Sequence, residues 1–275
     1  MDVITRHGLA MPKLGLGTWP MTGATCQAAV ESALALGYRH VDTAQMYANE
    51  ADVGAGIAAA GVTRGDLHIT TKVWWQNLAP ERIRAALDDS LRMLRTDYVD
   101  LFMVHWPAPG MDLAAMLASL VALRAAGRTR SIGLANFPTA LLSQAIDVLH
   151  APIACCQFEY HVLLRQPALL AFLRAHDLPI VAYSPLAKGA LVDVPVLVEI
   201  GRKHGATASQ IGLAWLLEQP DVAAIPKSAR PERMRENLAA LALRLDDEDR
   251  ARIATLPKDH RIANPPFHPV WDATG

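Results

Sequence analysis

The sequence predicts an α/β fold, a (β/α)8 TIM barrel with a short N-terminal hairpin and extra C-terminal helices, and three observations carry that reading. Eight short apolar segments bounded by turns alternate with longer segments whose apolar residues recur every three or four positions. Their spacing is even: the 208 residues from Leu14 to Val222 divide by seven to about 30, the size of a strand plus its crossover helix. The length of 275 residues suits one such barrel, and no linker or low-complexity tract interrupts it, so residues 1–275 read as a single domain.

In chain order, Val3–Arg6 and Leu9–Met11 flank His7-Gly8 as a small hairpin. The barrel strands are then expected at Leu14–Gly17, Tyr38–Val41, Leu67–Thr71, Tyr98–Val104, Thr129–Leu134, Ile153–Phe158, Pro179–Tyr183 and Val222–Ile225. Among the helices between them Pro80–Leu94 is the clearest, with Pro in the first turn and Ile83, Leu87, Leu91 and Leu94 on one stripe. Two helical stretches, Val194–His204 and Ala208–Glu218, fill the longer gap before the last strand, so one of them is extra to the eightfold plan. Pro231–Leu241 follows the last strand, Asp246–Leu256 adds a final helix, and the Pro-rich tail Pro257–Gly275 reads as a loop.

An open doubly wound sheet is the competing architecture, and it would carry a Gly-rich fingerprint after the first strand. Gly15-Leu16-Gly17 instead runs into Thr18-Trp19-Pro20, and the one G-x-G-x-x-A match, Gly54 to Ala59, follows a segment that reads as helix. That match is read as chance.

Charge narrows the range of partners. With 26 Lys and Arg against 27 Asp and Glu, the chain has no global field to hold a polyanion, so nucleic acid is not expected as a partner. No apolar run approaches the roughly 18 residues of a membrane helix. Met1–Pro20 carries Arg6, His7 and Lys13 where a secretory signal would be apolar, and the expectation is a soluble, cytoplasmic protein. Cys26, Cys155 and the adjacent Cys156 suit neither a disulfide framework nor a zinc site and read as small buried side chains. Nothing in the pattern demands more than a monomer.

In a barrel, chemistry collects at the C-terminal strand ends. Asp42 ends the second strand, Lys72 the third and His105 the fourth, while Tyr47 lies five residues past Asp42. Singly, each has a structural explanation as a helix cap, a rim salt bridge, a satisfied buried histidine or core packing. Together, three consecutive strands ending in titratable residues are a costly arrangement without function. A rim lysine could also form a Schiff base, as in a barrel lyase, but that needs a neutral Lys72, and an Asp partner argues the other way.

The motifs Gly37-Tyr38-Arg39-His40-Val41-Asp42-Thr43-Ala44, Tyr47-x-Asn49-Glu50, Thr71-Lys72-Val73-Trp74 and His105-Trp106-Pro107 extend that constellation. With Gln157-x-Glu159-Tyr160-His161, Tyr183-Ser184-Pro185-Leu186 and Ile225-Pro226-Lys227-Ser228 in the same order, the chain resembles the aldo-keto reductases almost end to end. The likeness is greatest to the bacterial 2,5-diketo-D-gluconate reductases. It implies hydride transfer from NADPH to an aldehyde or ketone, of the diketogluconate or methylglyoxal type, with Asp42, Tyr47, Lys72 and His105 as catalytic tetrad. Some relatives of this fold serve as non-catalytic nicotinamide-binding sensors or accessory subunits, and the complete tetrad counts against that reading here.

The tetrad also makes chemical sense on its own terms. Hydride added to a carbonyl leaves an alkoxide that needs a proton donor within hydrogen-bond reach, which Tyr47 would supply. Lys72 is expected to lower the phenol's pKa, Asp42 to keep Lys72 charged and aimed, and His105 to donate to the same oxygen.

The cationic run Lys227, Ser228, Arg230, Arg233 and Arg235 stands where barrels commonly bind phosphate, though a solvated helix face explains it as well. By resemblance, Lys227, Ser228 and Arg233 hold an adenosine 2'-phosphate, Glu236 and Asn237 the adenine, and Asn136 and Gln157 the carboxamide. Tyr183 stacks on the nicotinamide, and Ser184, Leu186 and Gly189 line the pyrophosphate. Ala135 stands where relatives usually have Ser, which removes one expected carboxamide contact. Trp19, Trp74, Trp75 and Trp106 are the expected substrate walls, the short segment after His105 suggests an open pocket, and Arg261–Trp271 resembles a tail that closes one side.

Overall fold

The computed structural model describes residues 2–272. Strands β1 (Val3–Arg6) and β2 (Leu9–Pro12) form the antiparallel hairpin, turning at His7 and Gly8 with positive φ at both, as a tight two-residue turn requires. Eight parallel strands follow: β3 (Leu16–Gly17), β4 (His40–Asp42), β5 (His68–Val73), β6 (Val99–Val104), β7 (Thr129–Ala135), β8 (Ile153–Glu159), β9 (Ile180–Tyr183) and β10 (Val222–Ala224). Each pairs with its neighbour in sequence. Leu14 bridges Ala224 in parallel, and the Gly15 amide donates to the Ala224 carbonyl at 2.9 Å, so the last strand meets the first and the ring closes.

The helices lie between strands as the apolar period predicts. They are α1 (Gly23–Ala35), α2 (Glu50–Ala60), α3 (Pro80–Leu94), α4 (Leu113–Ala125), α5 (Thr139–Ser143), α6 (Pro167–Ala175), α7 (Pro195–His204), α8 (Ala208–Leu217), α9 (Pro231–Ala239) and α10 (Asp247–Ala254). The predicted stripe of α3, Ile83, Leu87, Leu91 and Leu94, is buried. The ten helices among the described residues exceed the eightfold plan by two: α7 and α8 share the β9–β10 gap, and α10 follows α9 after the last strand. Gly54 and Gly56 of α2 stand against the Met93 and Gln27 backbone carbonyls of α3 and α1, where a Cβ would collide. The apparent dinucleotide fingerprint is therefore a helix-packing seam.

Strand limits differ from expectation by up to two residues, because a parallel ladder stops where its partners stop and not where the apolar run does. Tyr38 precedes its strand and instead donates its hydroxyl to the Met234 carbonyl at 3.0 Å. In the other direction, β4 extends to Asp42 and β5 to Val73, which places Asp42 and Lys72 inside the ladder.

Inside the ring, Leu101, Met103, Cys155 and Val181 pack on Ile4, Leu9 and Met11 of the hairpin. His40 and His68 reach the same hairpin through Nδ1, contacting the carbonyls of Pro12 at 3.1 Å and Ala10 at 3.0 Å. The hairpin thus plugs the N-terminal end of the barrel and leaves the other end for chemistry. All three cysteines are buried and unpaired. No helix among the described residues is long and apolar enough to cross a membrane.

Candidate active site

Asp42 and Lys72 come from adjacent strands and meet inside the barrel. The Lys72 ammonium donates to Asp42 Oδ1 at 2.5 Å and to the Thr43 carbonyl at 2.9 Å, and both side chains are fully buried. Gln157, in β8 across the barrel, donates from Nε2 to Asp42 Oδ2 at 2.8 Å. Tyr47 closes the short turn Gln45–Tyr47 after β4, with its ring centre 5.2 Å from Lys72 Nζ and 5.5 Å from the His105 ring. His105 follows β6 directly and its amide donates to the Val73 carbonyl at 3.0 Å. The four residues singled out from the sequence are therefore neighbours at one end of the barrel.

The loop bearing Tyr47 is held from both sides by buried polar residues. Asn49 accepts from Thr43 Oγ1 at 2.7 Å and donates to the carbonyls of Thr18 at 3.3 Å and Met21 at 2.8 Å. Glu50 accepts from Thr71 Oγ1 at 2.5 Å and from Ser90 Oγ at 3.1 Å. Asn49 joins the Tyr47 turn to the loop of Trp19, and Glu50 joins it to the strand of Lys72. Their burial with every carboxylate and amide oxygen engaged marks a rigid support.

One electrostatic expectation is corrected. Lys72 does not pull the Tyr47 phenol down; burial pushes its pKa well above 10 and the Asp42 carboxylate pushes it further. Burial is the larger cause, and the Lys72 ammonium is tied to Asp42 at 2.5 Å. Lys72 itself is pressed below its usual value by burial, with Asp42 opposing. His105 lies well below 6.5, from burial first and the Lys72 charge second, and is neutral at pH 7. Its Nδ1 is buried with no partner among the described residues.

Asn136 and Gln157, at the ends of β7 and β8, are both buried and already engaged. Asn136 donates from Nδ2 to the His105 carbonyl at 3.0 Å and accepts from the Tyr183 hydroxyl at 2.7 Å. This chain links the ring of Tyr183 to the backbone of His105. Asn136 and Ser184 both hold positive φ, 63° and 48°, as do Ala187 and Lys188 in the turn that carries Leu186 and Gly189. Positive φ occurs elsewhere too, at His7, Arg95, His150 and Asp177, but at these strand ends it recurs in two adjacent loops. Ala135 is fully buried and adds no polar atom there.

Around the N-terminus of α9 the expected phosphate residues divide. Ser228 is buried and its hydroxyl closes a turn with Arg230, accepting from its amide at 3.0 Å. Lys227, Arg233 and Arg235 are exposed and form no salt bridge among the described residues, whereas Arg230 meets Glu232. Asn237 is buried, while Glu236 is exposed and uses its carbonyl to accept from Gln210.

The tryptophans assemble a wall, and the tail completes it. Trp19 is 47% exposed and its ring lies 5.2 Å from Tyr47. Trp74 stands 5.3 Å from the His105 ring. Phe267 touches Trp74 at 5.4 Å, Trp75 at 5.1 Å and Trp106 at 5.7 Å, and Trp271 stacks its edge on Trp106 at 5.8 Å. The opening next to His105 is consequently walled by the tail and less open than the short segment after His105 suggests. Phe267 was not among the residues selected from the sequence, because a loop without period gives no sign of where it lands.

Two carboxylates pin the tail. Glu159 accepts from the amides of Ile262 at 2.8 Å and Ala263 at 2.7 Å, and Asp272 accepts from Thr139 Oγ1 at 2.6 Å and its amide at 3.1 Å.

A family model described as the Aldo/keto reductase family matches residues 13–257. Methylglyoxal reductase DkgB of Salmonella typhi is 40% identical over 268 residues, covering 96% of this chain and all of its own. Methylglyoxal reductase DkgA of Escherichia coli K12 is 37% identical, with 95% of each chain covered. A solved candidate 2,5-diketo-D-gluconic acid reductase B superposes at a TM-score of 0.96 with 41% identity, over 99% of this chain and 98% of its own. An aldose reductase from Schistosoma japonicum superposes at 0.91 with 30% identity, over 98% and 99%. With that agreement across the barrel, its strand ends and its tail, the chain belongs to the aldo/keto reductase family of oxidoreductases.

Proposed function

We propose that the protein, acting as one barrel domain over residues 1–275, is an NADPH-dependent reductase of small polar aldehydes and ketones. Methylglyoxal and 2,5-diketo-D-gluconate, the compounds named in its relatives, are the leading substrates. The observation that carries this reading is the meeting of Tyr47 and His105 at one opening, 5.5 Å between ring centres, with the buried Lys72–Asp42 pair behind them. Tyr47 Oη delivers the proton to the carbonyl oxygen, held protonated until that moment by its raised pKa. Neutral His105 orients the same oxygen by a hydrogen bond. Lys72 and Asp42 keep a fixed, nearly compensated charge behind the phenol. Lys72 is fully buried and bound to two acceptors, which leaves it no free face for Schiff-base chemistry.

The residues present fit a nicotinamide dinucleotide phosphate. Its hydride is the chemistry the cofactor supplies when bound. Tyr183, fixed through its hydroxyl, offers a ring for stacking, Gln157 keeps Oε1 and Asn136 the second hydrogen of its amide nitrogen for the carboxamide, and Ser184, Leu186 and Gly189 flank the pyrophosphate. Lys227, Ser228 and Arg233 would take the 2'-phosphate, with Glu236 and Asn237 at the adenine. The uncompensated exposed cations Lys227 and Arg233 support that grip, because a phosphate needs fixed cations to replace its water.

The reading is tested by loss of NADPH absorbance over a carbonyl panel. Turnover of methylglyoxal or 2,5-diketo-D-gluconate is expected, and no loss with any carbonyl overturns it. The grip has its own test in fluorescence titration. Arg233→Ala should weaken NADPH by about ten- to hundredfold while leaving NADH close to wild type. Equal losses for the two cofactors would remove Arg233 from the 2'-phosphate.

A further inference from the structure

Gln45 opens the turn that ends in Tyr47, yet its side chain bonds to the neighbouring loop. Its Oε1 accepts from the Trp74 amide at 3.1 Å and from Asn77 Nδ2 at 3.1 Å. A backbone N–H can only donate, so the Gln45 atom that meets it is the oxygen, and the partner fixes which way the side-chain amide faces. Trp74 and Asn77 close the short helical turn that leaves β5, the Asn77 amide donating to the Trp74 carbonyl at 2.9 Å. One oxygen thus holds both ends of the stretch that carries Trp74 and Trp75.

The main chain of Gln45 serves the other side. Its carbonyl accepts from the Ala48 amide at 3.2 Å and so closes the turn of Tyr47. The two loops it joins are unequally supported. The Tyr47 turn is also held by buried Asn49 and Glu50, through Thr43, Met21, Thr71 and Ser90. Residues 74–77 have one further side-chain partner from outside among the described residues, the exposed Arg82, whose Nη1 donates to the Gln76 carbonyl at 3.4 Å. Loss of Gln45 Oε1 therefore frees the aromatic wall before it frees the phenol. Trp74 stands 5.3 Å from the His105 ring and 5.4 Å from Phe267, so a shift of these residues changes the mouth on both sides.

We propose that Gln45 is a positioning residue for substrate binding, one that sets the wall of Trp74 and Trp75 in register with the turn of Tyr47. This rests on the reductase reading above and adds to it a residue that acts through the wall and leaves the proton donor in place.

Two substitutions test the oxygen. Gln45→Met keeps the length of the side chain and removes the acceptor, while Gln45→Glu keeps an acceptor for both donors. The measurements are KM and kcat for methylglyoxal, a neutral substrate on which the charge of Gln45→Glu exerts no ionic attraction or repulsion, with Kd for NADPH and amide hydrogen exchange over residues 68–77. Gln45→Met should raise KM about tenfold with kcat within about threefold and NADPH affinity unchanged. Amides of residues 74–77 should exchange about tenfold faster, and those of β5 as in the wild type. Gln45→Glu should bring KM and exchange back to within about threefold of wild type. A Gln45→Met enzyme whose KM stays within about threefold of wild type overturns the proposal. So does a fall in kcat at unchanged KM, which would assign Gln45 to the support of the phenol, and so does a Gln45→Glu enzyme as impaired as Gln45→Met. If the wild type reduces no carbonyl, the reductase reading has failed, and exchange alone then judges Gln45. Faster exchange of residues 74–77 in Gln45→Met, restored in Gln45→Glu, supports the positioning role, and equal exchange in all three proteins removes it.

Discussion

Tyr47→Phe is expected to lower kcat for carbonyl reduction by roughly two to four orders of magnitude while NADPH affinity stays near the wild-type value. The size follows from the lack of a substitute donor. Tyr183, the other phenol at this rim, has its hydroxyl committed to Asn136 Oδ1 at 2.7 Å. Lys72 is buried and directed at Asp42 and the Thr43 carbonyl. His105 is neutral and can orient the oxygen, but an imidazole proton given up at pH 7 is a poor match for an alkoxide in the absence of the phenol. Single-turnover decay of NADPH absorbance isolates the chemical step. A variant that keeps more than about a tenth of the wild-type rate there would move the proton to His105.

Lys72→Met should damage both stability and rate. Removing one member of a fully buried pair leaves the Asp42 carboxylate uncompensated, a loss of about 3–5 kcal/mol. In a chain of this size, that lowers Tm by on the order of 10 °C. The surviving folded protein should still reduce poorly, because an unopposed Asp42 raises the phenol's pKa further and the proton leaves less readily. Asp42→Asn should be milder: Lys72 keeps the Thr43 carbonyl, and the new amide oxygen can accept in place of the carboxylate. If Asp42→Asn proved the more damaging in kcat, with melting curves showing both variants folded, the roles of the two residues would have to be exchanged.

The barrel and its tetrad are legible in the chain because both obey local rules. Apolar period marks helix and strand, and strand ends mark where Asp42, Lys72 and His105 must emerge. The ladder limits are less legible, since Tyr38 looks like strand but is drawn off by the Met234 carbonyl, nearly two hundred positions away. What Lys72 does to Tyr47 also escapes the sequence: types and spacing bring a cation beside a phenol, but only distances show that Asp42 has claimed the charge first. The tail is the least legible. Glu159 meets Ile262 and Asp272 meets Thr139 across separations of 103 and 133 residues, and aperiodic loop sequence carries no trace of such partners.

The pins of that tail belong to the barrel, while what they hold, from Arg261 to Asp272, is one uninterrupted stretch of chain. Phe267, Trp271 and Arg261 all reside in it, and Tyr47, Lys72, Asp42 and His105 do not. If the proposed function holds, a genetic change confined to that stretch alters the wall beside His105 without touching the strands that carry Asp42 and Lys72. On the proposed reading, one part of what sets preference is therefore inherited apart from the tetrad, while Trp74 and Trp106 stay beside Lys72 and His105.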